Sequence, residues 1–432
     1  MIYYYSSSTL ICCLSSMYRP GGFPEYSPKE QKIFDQFSDI LRKNFEQRNY
    51  SHIHTPSVEP VDILSRWGDI FDKQVYGLYG LAQWIEDKKD YALHFDLTIP
   101  FARYTLDHLQ ELVFPFKRYQ MQPVRRWERQ KRGRYKEFRQ FDIDTIWRDA
   151  QDVGVWYDAE SIIVMTKALQ EVFDIMNIKK TIVAKISHIR IIQSLLASWN
   201  IAEDNTKQVF KILDDRYKRN EETNMKMLSE NLSLEKSQFI KKIIDTKDLS
   251  LLDQYDGYDD MLQIASYLNS MNIQREFALP IVRWHAYYTG MVAEFFIAED
   301  IELWAIAWGG RYERLTDFID KKHSFSGVGM SASSRIMEIL LNMNTEEIVQ
   351  DDTYMFLHFS DTLSETLSLM QQFISEDKIC ELYPLEAKFW KQLEYADKKW
   401  IRYAVILGST ELEKGEYQIK DLKTWETTVY SL

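Results

Sequence analysis

Residues 116–144 read FKRYQMQPVRRWERQKRGRYKEFRQFDID. Two short runs, FKRYQMQPV and FRQFDID, flank a basic connection, a pattern that predicts strand, charged loop, strand. Between Lys117 and Arg139 there are ten cations (Lys117, Arg118, Arg125, Arg126, Arg129, Lys131, Arg132, Arg134, Lys136, Arg139) against two anions, Glu128 and Glu137, a local net of +8. A solvated charged hairpin is the plain alternative, because charge runs are usually exposed faces. Against it, Phe138, Gln140 and Asp144 fall on one face of the second strand and bring an aromatic, an amide and a carboxylate together. Guanidinium groups grip phosphate oxygens in a fork and stay charged at physiological pH, so the block reads as a local anion site.

The rest of the chain is acidic, with a formal net charge of −12 over 432 residues, which argues against indiscriminate binding to polyanions. With 45% hydrophobic and 27% charged residues it has the composition of a soluble protein of two or three domains. Cys12, Cys13 and Cys380 have neither C-x-x-C spacing nor a neighbouring His pair, so no disulfide framework and no metal site is expected, and a reducing cytoplasm fits. The apolar run at the start lacks preceding Lys or Arg, unlike a secretory signal, and no stretch approaches a membrane span. Residues 1–17 read as a loose tail.

Residues 27–49 open with Ser27 and Pro28 and repeat apolar residues at helical spacing, predicting an amphipathic helix. From His52 to about Asp144 the text is strand-like, including YALHFDLTI. Residues 183–275 turn rich in Lys, Asp, Glu and Asn with helical periodicity, the mark of a helical insertion. Strands are expected again over 279–312 and a helix over 332–343. After an acidic linker near TEEIVQDD, residues 350–432 alternate strand and helix as a small α/β domain.

The basic block resembles motif 2 of the class II aminoacyl-tRNA synthetases, in the form R-x-E-R-x-x-x-G-R-x-x-E-F-x-Q typical of the histidyl-tRNA synthetase family. YALHFDLTIPFARY is similar to that family's amino-acid-binding strand and loop, VRWHAYYTGMVAEFF and AWGGRYERL to its two histidine motifs, and GVGMSASSRIMEIL to motif 3. The C-terminal KQLEYADKKWIRYAVILGSTELEKGEYQIKDL resembles its anticodon-binding domain. The resemblance implies an α/β (α+β) catalytic domain over 18–343, built on an antiparallel sheet flanked by helices. It also implies a homodimer.

The implied reaction joins histidine to the α-phosphate of ATP, with Mg2+ bound alongside ATP, and transfers the histidyl group to tRNA(His). By resemblance Arg126 holds the α-phosphate, Arg134 the distal phosphates, Glu128 reads adenine, and Phe138 and Arg335 cover its two faces. Asp96, Thr98 and Gln140 match the α-amino site; Asp144 and Tyr288, with Tyr287 beside it, match the grip on the imidazole. Arg283 matches the arginine beside the carboxylate and α-phosphate and is expected to be the main electrostatic catalyst with Arg126. Two other readings stay open: a non-catalytic paralogue such as the synthetase-like regulatory subunit of ATP phosphoribosyltransferase, or an adenylating enzyme with a non-tRNA acceptor.

The chain departs from the family in a patterned way. Trp67, Trp127, Trp147, Trp199, Trp284, Trp304, Trp308, Trp400 and Trp425 stand where the family commonly has glycine, and the chain holds 15 Gly against 12 Trp. Ordinary usage puts glycine at about 7%. Repeated acceptance of the largest side chain where none is wanted is physically implausible. The expectation is that these nine codons are UGA, read as glycine in the source lineage.

Overall fold

The computed structural model describes residues 20–65, 74–80, 90–128, 135–149, 151, 153–216, 219–282, 288–298, 305–342 and 352–432. The chain divides into two compact units, Met1–Met343 and Asn344–Leu432.

The first unit opens with helix α1 (Pro28–Glu46). Ser27 caps it: its hydroxyl accepts from the Glu30 N–H while the Glu30 carboxylate accepts from the Ser27 N–H, and Pro28 occupies the first turn where no donor is needed. Short strands β1 (Ser51–His52) and β2 (Val58–Pro60), helix α2 (Val61–Ser65), and strands β3 (Gly77–Leu78) and β4 (Tyr91–Leu93) follow, then helix α3 (Thr98–Asp107). Next come the long hairpin β5 (Phe116–Arg125) and β6 (Glu137–Arg148), helix α4 (Trp156–Ile175) and strand β7 (Ile182–His188). Helices α5 (Ile189–Ser198), α6 (Glu203–Asp214), α7 (Glu221–Asn231), α8 (Leu234–Thr246) and α9 (Tyr258–Ser270) form the helical stretch. Strands β8 (Arg275–Phe277), β9 (Tyr288–Ile297), β10 (Ala307–Tyr312) and β11 (Phe325–Ser333) and helix α10 (Ile336–Asn342) complete the unit.

Eight strands form the main sheet in the order β1-β5-β6-β11-β10-β9-β7-β8, antiparallel from β5 through β7. Register assigns its faces, because directly opposed residues share one. Gln122, Gln140 and Ser333 form one cross-strand row, Gln120, Asp142 and Ser331 the next, and Arg118, Asp144 and Gly329 a third. Trp308 opposes Ser331 and Gly310 opposes Gly329, which extends this polar face onto β10. The other face is apolar and covered by helix: Phe141 packs edge-on against Phe37, ring centroids 4.9 Å apart, and Tyr119 against Phe45 at 5.8 Å.

Two expectations are corrected here. Residues 182–188 are a strand of the main sheet, not the start of the helical insertion; TIVAKIS is rich in β-branched residues, and the strand pairs with β9 on one side and β8 on the other. The stretch after Leu97 is helical rather than extended: the Asp96 carboxylate accepts the Ile99 N–H at 3.4 Å, and Pro100 falls in the first turn where a missing donor is harmless.

In the second unit strands β12 (Thr353–Phe356), β13 (Ile379–Leu382) and β14 (Tyr403–Ile406) pair in parallel, and the antiparallel hairpin β15 (Glu416–Asp421) and β16 (Thr427–Ser431) extends the sheet. Helices α11 (Leu363–Ser375), α12 (Phe389–Lys398) and α13 (Ser409–Lys414) connect them. Both faces of β12 are buried: Met355 joins Leu393 and Ala404 in one cluster, Phe356 joins Leu369 and Val405 in another. Apolar runs without alternation are the consequence.

Two tryptophans sit in left-handed backbone. Trp400, φ 53°, follows α12; its N–H donates to the Asp397 carbonyl at 2.9 Å and that of Ile401 to the Ala396 carbonyl at 3.0 Å. This is the helix ending whose left-handed seat is ordinarily glycine, a seat that Asn49, Asn177, Asn200 and Asn272, and also Lys247 and Asp377, take after other helices. Trp425, φ 63°, closes the β15–β16 turn with its N–H on the Asp421 carbonyl at 2.8 Å. Trp400 and Trp425 are 63% and 52% exposed, so burial offsets little of the strain.

Candidate active site

Phe138, Gln140, Asp142 and Asp144 follow one another along the polar face of β6, about 7 Å apart, and none is more than 4% exposed. At the inner end Asp144 Oδ2 lies 2.6 Å from Arg118 Nη2, and Asp144 Oδ1 accepts from the Tyr312 hydroxyl. Arg118 is fully buried, with Phe101 of α3 over its guanidinium at 4.4 Å. Burial pushes the Asp144 carboxyl up, against the pull of Arg118 and then Tyr312. Gly329 makes room for this carboxylate, since a Cβ there would stand 2.0 Å from Asp144 Oδ1.

The middle of the face is acid-rich and incompletely partnered. Gln140 Nε2 donates to Ser331 Oγ at 2.9 Å, while Gln140 Oε1 and Asp142 Oδ1 have no hydrogen-bond partner among the described residues. Burial raises the Asp142 carboxyl to about 7; Arg118 and the Ser331 hydroxyl oppose the rise, and Asp144 and Asp96 add to it. Asp96, just before α3, is raised to about 6 by burial, with Arg126 the main opposing charge.

At the outer end Phe138 packs on Leu97 and Val124. Two guanidinium groups converge on its ring, Arg126 at 5.1 Å and Arg335 at 5.7 Å, and Arg335 also lies 5.8 Å from the Trp308 ring. Arg126 is held by its Nε, which donates to the Phe95 carbonyl at 3.0 Å. A purine laid between Phe138 and Arg335 needs about 7 Å, two contacts of about 3.5 Å each, so Arg335 has to lift to admit one.

Among the expected site residues, Asp96, Gln140, Asp144, Phe138, Arg126 and Arg335 are found around this face. Thr98 is the first residue of α3 and half-buried. Tyr288 opens β9, in register with Tyr312. Glu128 is half-buried, its N–H on the Arg126 carbonyl at 2.8 Å. Arg134, Arg283 and Tyr287 lie outside the described residues, as do Trp67, Trp284 and Trp304.

The +8 block is not one anion site. Lys117 pairs with Glu160 at 2.8 Å, Arg125 with Glu137 at 2.7 Å, and Arg139 lies 5.3 Å over Phe34 on the helix-covered face. Arg118 points at carboxylates. Alternation along a strand sends neighbouring cations to opposite faces, so the net charge of the stretch overstates any one surface.

Sequence reasoning missed Asp142, Arg118 and Tyr312. The signal for Asp142 was present in its parity with Gln140 and Asp144. That for Arg118 and Tyr312 was not, because their partners are set by cross-strand register.

The antiparallel order β5-β6-β11-β10-β9, with helices behind and Arg126 and Arg335 meeting Phe138 in front, is the architecture of a class II aminoacyl-tRNA synthetase. Residues 22–335 match the family described as Histidyl-tRNA synthetase, and residues 349–432 match the Anticodon binding domain. The chain belongs to the histidyl-tRNA synthetase family. It is 30% identical to the histidine-tRNA ligase of Clostridium acetobutylicum over 427 residues, covering 94% of this chain and 95% of that one. The histidine-tRNA ligase of Nostoc sp. is also 30% identical, over 96% of this chain and 95% of its own.

The crystal structure of histidyl-tRNA synthetase from Nostoc sp. superposes with a TM-score of 0.84 at 27% identity, covering 96% of this chain and 97% of that one. A Bacillus halodurans structure titled ATP phosphoribosyltransferase regulatory subunit/histidyl-tRNA synthetase shares the fold, at TM-score 0.69 and 18% identity over 88% of this chain and 96% of that one.

Proposed function

We propose that this chain activates histidine with ATP and transfers it to tRNA(His). The observation that carries the reading is the gradient along β6, from an aromatic ring flanked by arginines, through an amide and a carboxylate with one unpartnered oxygen, to a carboxylate fixed by Arg118 and Tyr312. That order suits a purine at one end and a nitrogen heterocycle at the other.

A histidine carboxylate oxygen attacks the α-phosphorus of ATP; the new O–P bond replaces the bond to the bridging oxygen, and pyrophosphate leaves. Arg126, with Arg283, neutralises the charge gathering on the α-phosphate oxygens, and Arg134 takes the distal phosphates. Phe138 and Arg335 stack on adenine, and Glu128 reads its edge. Asp96, Thr98 and Gln140 hold the α-ammonium. Asp144 accepts an imidazole N–H and Tyr288, with Tyr287 beside it, takes the other side of the ring, so apolar amino acids leave buried polar groups unpaired. A terminal ribose hydroxyl of tRNA(His) then attacks the carbonyl carbon and AMP leaves.

Among the described residues no group of three or more His, Cys, Asp or Glu is placed to hold a metal, and magnesium in this reading rides on the ATP phosphates. No helix among the described residues is long and apolar enough to cross a membrane; the cytoplasm is the compartment of this reading. The working unit is a homodimer built through the region around α1, checked by light scattering.

The test is amino-acid-dependent pyrophosphate exchange by the full chain, in the tryptophan form and with glycine at the nine positions. Exchange with histidine and no other amino acid, followed by charging of tRNA(His), is expected. Absence of histidine-dependent exchange in both forms would overturn the reading. Trp308, on the pocket face beside Ser331, favours a second reading as a non-catalytic paralogue; histidine-dependent exchange removes it, and exchange without tRNA charging leaves a different acceptor.

A further inference from the structure

Three carboxylates, Asp96, Asp142 and Asp144, are buried together on the polar face, and one buried guanidinium, Arg118, faces them. Arg118 makes its close contact with Asp144. Arg126, half-buried at the rim, is committed to the Phe95 carbonyl and Phe138. An excess of buried acid without matching cations is unfavourable unless protons or a ligand supply the charge.

We propose that Asp142 is a substrate-binding residue whose unpartnered Oδ1 accepts one N–H of the amino acid's α-ammonium, alongside Asp96 and the Gln140 amide oxygen. This deepens the amino-acid reading of the pocket and rests on it. An ammonium group has three donors and no acceptor, and Asp142 adds a second carboxylate to the Asp96, Thr98 and Gln140 acceptors. Gln140 Oε1 and Asp142 Oδ1 are both without a partner, both buried, and two residues apart on one strand face. The groups facing Asp142 are Arg118 from β5, Asp144 from β6, Asp96 from before α3 and Ser331 from β11. In the empty pocket burial keeps the Asp142 carboxyl protonated up to about pH 7, and an arriving ammonium displaces that proton.

The test compares two competitive inhibitors of histidine-dependent exchange by the full chain, in the form that supports exchange. Histidinol keeps the ammonium; imidazolepropionate lacks it. Asp142→Asn preserves the shape and removes the charge. The inhibition constant for histidinol should rise on the order of 10- to 100-fold, as for loss of a charged hydrogen bond, with imidazolepropionate and the KM for ATP unchanged. Equal weakening of both inhibitors, or of neither, would overturn the proposal. Calorimetry in two buffers of different ionisation enthalpy gives an independent reading near pH 7: histidinol should release more protons from the unaltered chain than from Asp142→Asn, and equal release by the two refutes the proposal. An unaltered chain that shows no histidine-dependent exchange defeats the functional reading itself.

The left-handed tryptophans carry a second inference. A non-glycine residue in that backbone is strained, and neither Trp400 nor Trp425 is buried in return. Trp127 is also 60% exposed, and Trp308 stands on the pocket face under Arg335. Trp147, buried and stacked on Tyr157 at 6.0 Å, and Trp199, at φ −88° with its ring 5.9 Å from that of Phe239, give no sign of a glycine. We infer that positions 400 and 425 hold glycine in the cell, from UGA codons translated as glycine. The coding sequence should show UGA at 400 and 425 and UGG at Trp84, Trp156 and Trp390. Peptides from the native protein spanning 400 and 425 should carry glycine masses; UGG codons or tryptophan masses there would refute the inference.

Discussion

Arg118 and Asp144 oppose each other on neighbouring strands, with Nη2 of one 2.6 Å from Oδ2 of the other and both side chains out of water. The pair fixes one end of the pocket. Removing the cation alone strands a buried carboxylate, so Arg118→Met should destabilise the chain by about 3–5 kcal/mol in urea unfolding. Replacing both, Arg118→Met with Asp144→Leu, should restore most of that stability while histidine-dependent exchange stays absent.

Asp142 and Asp96 make the empty pocket pH-sensitive. Burial lifts their carboxyls to about 7 and about 6, above the ordinary aspartate value near 3.8. The folded chain therefore binds more protons than the unfolded chain between about pH 4 and pH 7, and this contribution to stability falls as pH rises through that window. Urea midpoints at pH 5 and pH 7.5 should show the fall, and Asp142→Asn should reduce it.

Gly329→Ala tests the close approach behind Asp144. The added Cβ would meet Asp144 Oδ1 at 2.0 Å and the Ile143 carbonyl at 2.9 Å, so the carboxylate has to move. Histidine activation should lose on the order of 100-fold in kcat/KM, with the KM for ATP unchanged, as measured by pyrophosphate exchange.

Phe138→Leu tests the other end. Its ring is the surface on which Arg126 and Arg335 converge. The KM for ATP should rise about 10-fold, the scale of a lost stacking contact, while the KM for histidine holds.

Trp400→Gly and Trp425→Gly should each stabilise the chain by about 1 kcal/mol, the relief of left-handed strain less the added freedom of glycine in the unfolded chain. Differential scanning calorimetry of the single variants checks this.

The β5–β6 hairpin was legible because strand alternation and a charged turn are local signals, and α1 because its cap is written in Ser27, Pro28 and Glu30. Phe138, Gln140 and Asp144 were legible as one face for the same reason. What the basic block did was not. Whether Arg118, Arg125 or Arg139 faces a pocket, a neighbouring strand or a helix depends on pairing with residues far along the chain. The helix beginning at Thr98 was hidden because its first turn is apolar and contains proline, and its stabilising acceptor, Asp96, precedes it.

A glycine in the left-handed seats at 400 and 425 ties this chain to its own translation system. On the inference that these two codons are UGA, a host that reads UGA as stop would halt synthesis by position 400, inside the second unit. A host that reads UGA as tryptophan would make the full length with an indole in each left-handed seat. On that inference the glycine form is made elsewhere only by recoded synthesis.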